Sequence, residues 1–187
     1  MIAQDFAAVF DGHGGPAVSR YLRQNLFAHL QSTLPHVISQ RQQQQIAAEQ
    51  QRTDATTPSL PTNDLDDTTI DDTIQNTPSS PEPSVQDYCI ALRMALDKVD
   101  QEVQRINHWS YQGSTAVAVW LHYDIKDDNQ NEKKTTLVVA NIGDSRAIYG
   151  RNGTVLELTK DHKPDDPGEI KRIESVGGKV VSLWFSR

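Results

Sequence analysis

The chain has 187 residues, a net charge of −7 from 18 Lys+Arg and 25 Asp+Glu, and one cysteine. That length fits one ordinary domain, the acidic balance gives no electrostatic footprint for nucleic acid or an anionic membrane, and a lone thiol excludes an internally stapled mini-fold. No apolar run approaches the ~20 residues that span a bilayer, and the first residues lack the basic start and apolar stretch of a signal peptide, so a soluble protein of the cytoplasm or nucleus is expected.

Phe6 to Phe10 is a short apolar run, which predicts a strand covered on both faces. It stops at Asp11-Gly12-His13-Gly14-Gly15, after which Pro16 suits the first position of a helix. Val18, Leu22, Leu26, Leu30 and Leu34 then repeat every fourth residue, one helical stripe widened by Tyr21 and Phe27. From Ser39 to Gln86 the character changes: there is no Gly, Cys or aromatic residue, five of the nine prolines are present, and eight acids face two bases. This tract carries −6, leaving only −1 for the other 139 residues. It buries too little apolar surface to offset the entropy of ordering it and reads as a disordered insert, its first part through about Arg52 able to extend the helix. Thr57-Pro58, Thr77-Pro78 and Ser80-Pro81 within it have the form of proline-directed phosphorylation sites, or of a tolerated linker.

A second helix starts at Ser84, whose spacing to Asp87 resembles a capping box, and carries Tyr88, Leu92, Leu96, Val99, Val103 and Ile106 on one face. Cys89 falls within this helix and reads as a buried, inert thiol. After Gly113 the pattern turns β-rich. Strands are expected at 116–123 and 135–142, joined by the polar loop 127–132, and a hairpin is signalled by Asn152-Gly153. Asp166-Pro167-Gly168-Glu169 looks like a helix start, Gly177-Gly178 a stop, and Val180 to Phe185 a last strand. Two helices beside mostly antiparallel strands make a layered α+β domain.

Two clusters carry chemistry. An apolar strand that delivers Asp11 to its own tip is a rigid holder for a hard cation, with the Gly12 carbonyl free to approach the same ion and His13 able to give a proton near neutral pH. The same residues also suit a glycine-rich turn whose Asp caps the next helix. Asn141-Ile142-Gly143-Asp144-Ser145-Arg146 repeats the theme, a strand ending at a glycine and an acid, and reads either as a second metal carboxylate or as a reverse turn. Gly12-His13-Gly14 lacks the third glycine of a dinucleotide loop, and no G-x-S-x-G elbow is present.

Phe10 to Gly15 resembles the V-F-D-G-H-G-G signature of the metal-dependent protein phosphatases, the protein phosphatase 2C family. Gly113-Ser114-Thr115-Ala116 is similar to their G-S-T-A strand entry, and Ala140 to Ala147 to their A-N-x-G-D-S-R-A segment. Leu158 to Pro164 resembles their L-T-x-D-H-K-P stretch, and Glu169 to Gly178 its E-x-x-R-I-x-x-x-G-G continuation. The resemblance implies two antiparallel sheets packed as a sandwich with helices outside each, a four-layer αββα arrangement incomplete here at both ends. It implies hydrolysis of phosphoserine and phosphothreonine on protein substrates with two Mg²⁺ or Mn²⁺ ions, and a third, weaker one. By motif, Asp11 bridges the two ions, the Gly12 carbonyl completes one shell, His13 protonates the departing alkoxide, and Asp144 helps bind the further metal. His162 and Lys163 begin the stretch leading to a flap beside the substrate cleft.

The chain also departs from the family pattern. The strands upstream of the signature, with their phosphate-gripping Arg and an acid near the metals, have no counterpart, and neither do the downstream D-G-x-W-D and D-N segments. The expectation is a middle portion of a phosphatase domain over 1–187, interrupted by the insert at about 39–86. It works either as part of an enzyme or as a non-catalytic module that binds or regulates a phosphorylated partner. Nothing in the sequence sets an oligomeric state.

Overall fold

A computed structural model of the protein describes residues 4–54, 82–124 and 134–181. Its centre is a three-stranded antiparallel sheet in the order β1 (Gln4–Val9), β4 (Ala116–Asp124), β5 (Lys134–Ile142). Val9 pairs with Val117 and Val117 with Asn141, so β1 ends, β4 begins and β5 ends at one edge of the sheet. The short strands β2 (Gly12–His13) and β3 (Gly113–Ser114) pair just beyond that edge. A separate hairpin, β6 (Ile148–Arg151) and β7 (Thr154–Glu157), turns through Asn152 and Gly153 at φ 51° and 79°, the two positive values a type I′ turn demands. The fold is α+β with antiparallel sheets, as expected.

Two helices cover one face of the central sheet. The first, α1 (Ala17–Asp54), starts directly after Pro16 and buries Val18, Leu22, Leu26 and Leu30, then Val37 just past the internal Pro35. It runs on through the Gln-rich stretch, whose residues tolerate helix and mostly face solvent. The remainder of the acidic tract, with the three Ser/Thr-Pro dipeptides, lies outside the described residues, as do the 127–132 loop and residues 182–185 of the expected last strand.

The second helix, α2 (Val85–Gln104), begins at the capping box read from the sequence. The Ser84 hydroxyl accepts from the Asp87 N–H, and the Asp87 carboxylate accepts from the Ser84 N–H at 2.7 Å. Asp87 is buried, and Arg41 of α1 meets it at 3.0 Å while also donating to the Glu82 carbonyl. Tyr88, Ala91, Leu92, Ala95, Leu96 and Val99 form the buried face of α2. Cys89 is exposed, which corrects the expectation of a buried thiol: it sits about 100° around the helix from Tyr88, off that stripe.

Tyr88 and Trp120 pack edge-on with ring centroids 4.6 Å apart, and the Tyr88 hydroxyl lies 2.9 Å from His122 Nδ1 beneath the sheet. Nearer the other end of the helix pair, Glu102 accepts from the Tyr21 hydroxyl and approaches His29 Nε2, both at 2.8 Å. The Tyr21 hydrogen bond, seconded by His29, holds the Glu102 carboxyl below the usual range and raises the Tyr21 hydroxyl in turn.

The other face of the sheet is only partly covered. Ala7, Val9, Val117, Val119, Leu121 and Leu137 point to that side and line an apolar groove of about 800 Å³ beside the β6–β7 hairpin. The expectation of a first strand covered on both faces therefore holds for its helix-side residues Phe6, Ala8 and Phe10, whereas Val9 is 63% exposed. A last helix, α3 (Pro167–Ser175), starts where predicted, with Asp166 accepting from the Gly168 and Glu169 N–H groups.

Candidate active site

The register brings the sequence motifs to one place. Asp11, Thr115 and Gly143 continue the rows of β1, β4 and β5 past the sheet edge, with Thr115 in the middle. The Thr115 N–H donates to the Asp11 carbonyl at 2.9 Å, and the Asp11 N–H donates back to Thr115 Oγ1 at 3.3 Å. The same hydroxyl lies 2.6 Å from Ser145 Oγ. Gly143 adopts φ +92°, and a Cβ there would press on Thr115 Cγ2 at 2.8 Å, so glycine is required by both backbone and neighbour. One threonine thus joins the tips that carry Asp11 and Asp144.

The 158–164 segment closes on the same tip. His162 N–H donates to the Gly143 carbonyl at 2.9 Å, and Asn141 Nδ2 donates to that carbonyl and to the Lys160 carbonyl at 3.1 and 3.0 Å. Arg146 grips Asp161 through Nε and Nη2, both at 2.9 Å, and reaches Glu157 at 3.2 Å. This bidentate hydrogen bonding, with help from Lys163, pulls the Asp161 carboxyl below its ordinary range and raises Arg146. Lys163 is therefore an ion-pair partner of Asp161, at 3.4 Å, and the His162 side chain is exposed.

The Asp11-Gly12-His13-Gly14-Gly15 turn is moulded against the segment that precedes β3. Gly12 pairs with Ser114 and His13 with Gly113. A Cβ on Gly113 would meet His13 Nε2 at 2.5 Å, so the imidazole rests on a residue that has no side chain. Gly14 takes φ +69° with the Tyr111 carbonyl against it, and Gly15 lies against the Gln112 side chain. Gln112 Oε1 also accepts the Ala17 N–H, at 3.0 Å, at the start of α1. Beneath His13 a cavity of about 410 Å³ opens between the helix pair and Trp109.

Asp11, Gly12, His13 and Asp144 are all exposed at this edge. A carboxylate and a backbone carbonyl are the oxygen donors that Mg²⁺ and Mn²⁺ prefer, so the donor chemistry fits such ions. The count is smaller than a shell of about six: among the described residues, no group of three or more His, Cys, Asp or Glu stands together to hold a metal. With Thr115 between them, the Asp11 and Gly143 backbones lie two strand spacings apart, about 10 Å. The structure therefore gathers the sequence-predicted residues at one edge, with the tips that carry Asp11 and Asp144 on either side of Thr115.

Thr115, Asn141 and Gln112 have no role assigned from the sequence. Thr115 and Asn141 lie inside recognisable motifs, but no local signal marks Gln112, whose partner Ala17 is 95 residues away.

Comparison with known proteins adds an independent line. The sequence model of the family described as Protein phosphatase 2C matches residues 59–187, which takes in the Thr115 strand entry, the Asp144 segment and the 158–178 stretch. Probable protein phosphatase 2C 45 of Oryza sativa subsp. japonica is 33% identical over 175 residues, 92% of this chain and 41% of its own length. Protein phosphatase 1B of Mus musculus is 29% identical over 182 residues, 94% of this chain and 34% of its own. Probable protein phosphatase 2C 68 of Oryza sativa subsp. japonica is 50% identical over a shorter 52 residues, 28% of this chain and 14% of its own. The chain thus spans roughly a third to two fifths of the relatives that it matches along most of its own length.

Proposed function

The chain belongs to the protein phosphatase 2C family, and on that premise we propose that the protein hydrolyses phosphoserine and phosphothreonine on protein substrates at the sheet edge around Asp11. The observation that carries this reading is the row Asp11–Thr115–Gly143, in which the Thr115 hydroxyl, bonded to the Asp11 N–H and to Ser145, ties together the two strand tips that bear the motif acids Asp11 and Asp144. Mg²⁺ or Mn²⁺ ions, when bound, supply an activated water and screen the charge of the phosphoryl group.

The chain's own residues have three tasks in this reading. The Asp11 carboxylate and the Gly12 carbonyl would hold part of the shell of a pair of Mg²⁺ or Mn²⁺ ions, and Asp144, beyond Thr115 on the tip of β5, would serve a further ion. Further ligands of such a shell would come from outside the described residues, among which no group of three or more His, Cys, Asp or Glu stands together. His13, resting on Gly113, gives a proton to the oxygen of the departing serine or threonine. The Thr115 and Asn141 bonds keep the tips fixed, so that little reorganisation is needed as charge develops. Among the described residues no helix is long and apolar enough to cross a membrane. An exposed free thiol at Cys89 suits a reducing compartment such as the cytosol or nucleus.

A manganese-supplemented assay on a phosphothreonine peptide tests the proposal. Phosphate release that chelation abolishes, and that Asp11→Asn lowers at least about a hundredfold, supports it. Release that persists in chelator or in Asp11→Asn, or peptide binding without turnover, overturns it.

A further inference from the structure

We infer that Gln112 is a positioning residue for His13, an inference that rests on the proton-donor role proposed above. Three consecutive residues, Tyr111, Gln112 and Gly113, meet three others, Gly14, Gly15 and His13. The Tyr111 carbonyl lies where a side chain on Gly14 would be, Gly113 lies under the imidazole, and the Gln112 side chain fills the space over Gly15. Tyr111 and Gly113 contribute backbone to this mould. Gln112 contributes a half-buried side chain whose own backbone is anchored, because its N–H donates to the Trp109 carbonyl at 2.8 Å.

The Gln112 amide oxygen answers a specific need. Pro16 has no N–H, and the Ala17 N–H at the start of α1 has no carbonyl one turn earlier to bond. Gln112 Oε1 accepts it at 3.0 Å. The turn that carries His13 is thereby fixed at one end by the β2–β3 pairing and at the other by Gln112, across 95 residues of chain. Without that acceptor, Gly14 and Gly15, both at positive φ, are free to move and the ring is free to leave Gly113. A displacement of about 1 Å at a reacting group can cost on the order of a hundredfold in rate.

The test compares Gln112→Leu, which keeps the bulk and removes the acceptor, with Gln112→Glu, which keeps an acceptor and places a carboxylate where a helix start favours one. Two readouts are taken on each variant after the melting temperature shows that it is folded. The first is the nuclear Overhauser contact between the His13 ring and Gly113, with the amide shifts of Gly14, Gly15 and Ala17. The second is the split of the manganese-dependent peptide phosphatase activity into kcat and KM. Gln112→Leu is expected to lose the His13–Gly113 contact and lower kcat about tenfold with KM unchanged, and Gln112→Glu to restore both. A Gln112→Leu protein that retains the contact and the shifts overturns the inference, whatever its activity. A lost contact with unchanged kcat overturns the role given to His13, and with it the catalytic half of the inference, so the two failures are told apart.

Discussion

Among the described residues between Val18 and Val138, sixteen apolar side chains are buried, Leu30, Tyr88, Ala91 and Ala95 down to 0% exposure. Between Gly143 and Val181 no described residue is buried. The second region is held instead by turns, by backbone bonds such as Leu158 N–H to the Ala147 carbonyl, and by pairs of opposite charge: Arg146 with Asp161 and Glu157, Lys160 with Asp166, Arg172 with Glu169. The two regions meet at Thr115 and Gly143, where the candidate site lies. Burial makes the first region the rigid one and leaves the second to follow it, because exposed ion pairs contribute little against chain entropy.

The strongest way to break this comparison is to strike the core. Leu26→Ala should cost about 2–5 kcal/mol in urea denaturation, and hydrogen exchange should then rise in both regions together. Continued protection of 143–181 would show that region to stand alone.

A smaller effect is expected at the seam. Thr115→Val removes the hydroxyl shared with the Asp11 N–H and Ser145, a loss of about 1–2 kcal/mol, and should quicken exchange at Asp11 and across 143–147 without altering the Tyr88–Trp120 packing.

Acid should separate the regions more gently. Hydrogen bonds from Arg146, Lys160 and Arg172 hold Asp161, Asp166 and Glu169 below the ordinary carboxylate range. Their folded values lie under their unfolded ones, 3.8 for Asp161 and Asp166 and 4.5 for Glu169, so the stabilisation is complete only above about pH 5 to 6 and is lost as pH falls through the lowered values. Amide signals from 143–181 should therefore lose dispersion at a higher pH than those of Leu26 or Val138.

The smallest change is Arg146→Lys, which keeps a charge but cannot form the two-pronged bond. The Asp161 carboxyl should move up toward its ordinary range, read by carbon-13 titration.

Local chemistry is well legible in the sequence. The Ser84–Asp87 box, the Asn152-Gly153 turn, the Asp166-Pro167 start and the apolar stripe of α1 are each decided within a few residues of chain, where propensity and spacing act directly. The motif resemblance names the family but not what holds its pieces together. Thr115 contacts Asp11 across 104 residues and Ser145 across 30, and no periodic pattern records such distances. Cys89 misleads because an apolar-looking residue one step off a helical stripe counts as part of it until the neighbours are known. The half-open face of the sheet is hidden for a similar reason: a continuous apolar run announces that a strand is coated on both sides, and says nothing about which segment does the coating.

The Arg41–Asp87 clasp has a consequence for everything threaded between its two residues. The salt bridge brings positions 41 and 87 together at the helix pair, so the contact of α1 with α2 at that point is made by the helices themselves and not by the residues that link them in sequence. Closing a loop costs in general only about 0.6 kcal/mol more for each doubling of its length. A change in the number of residues that link α1 to α2 should therefore move the urea midpoint far less than Leu26→Ala does, because Arg41 and Asp87 hold the two helices together.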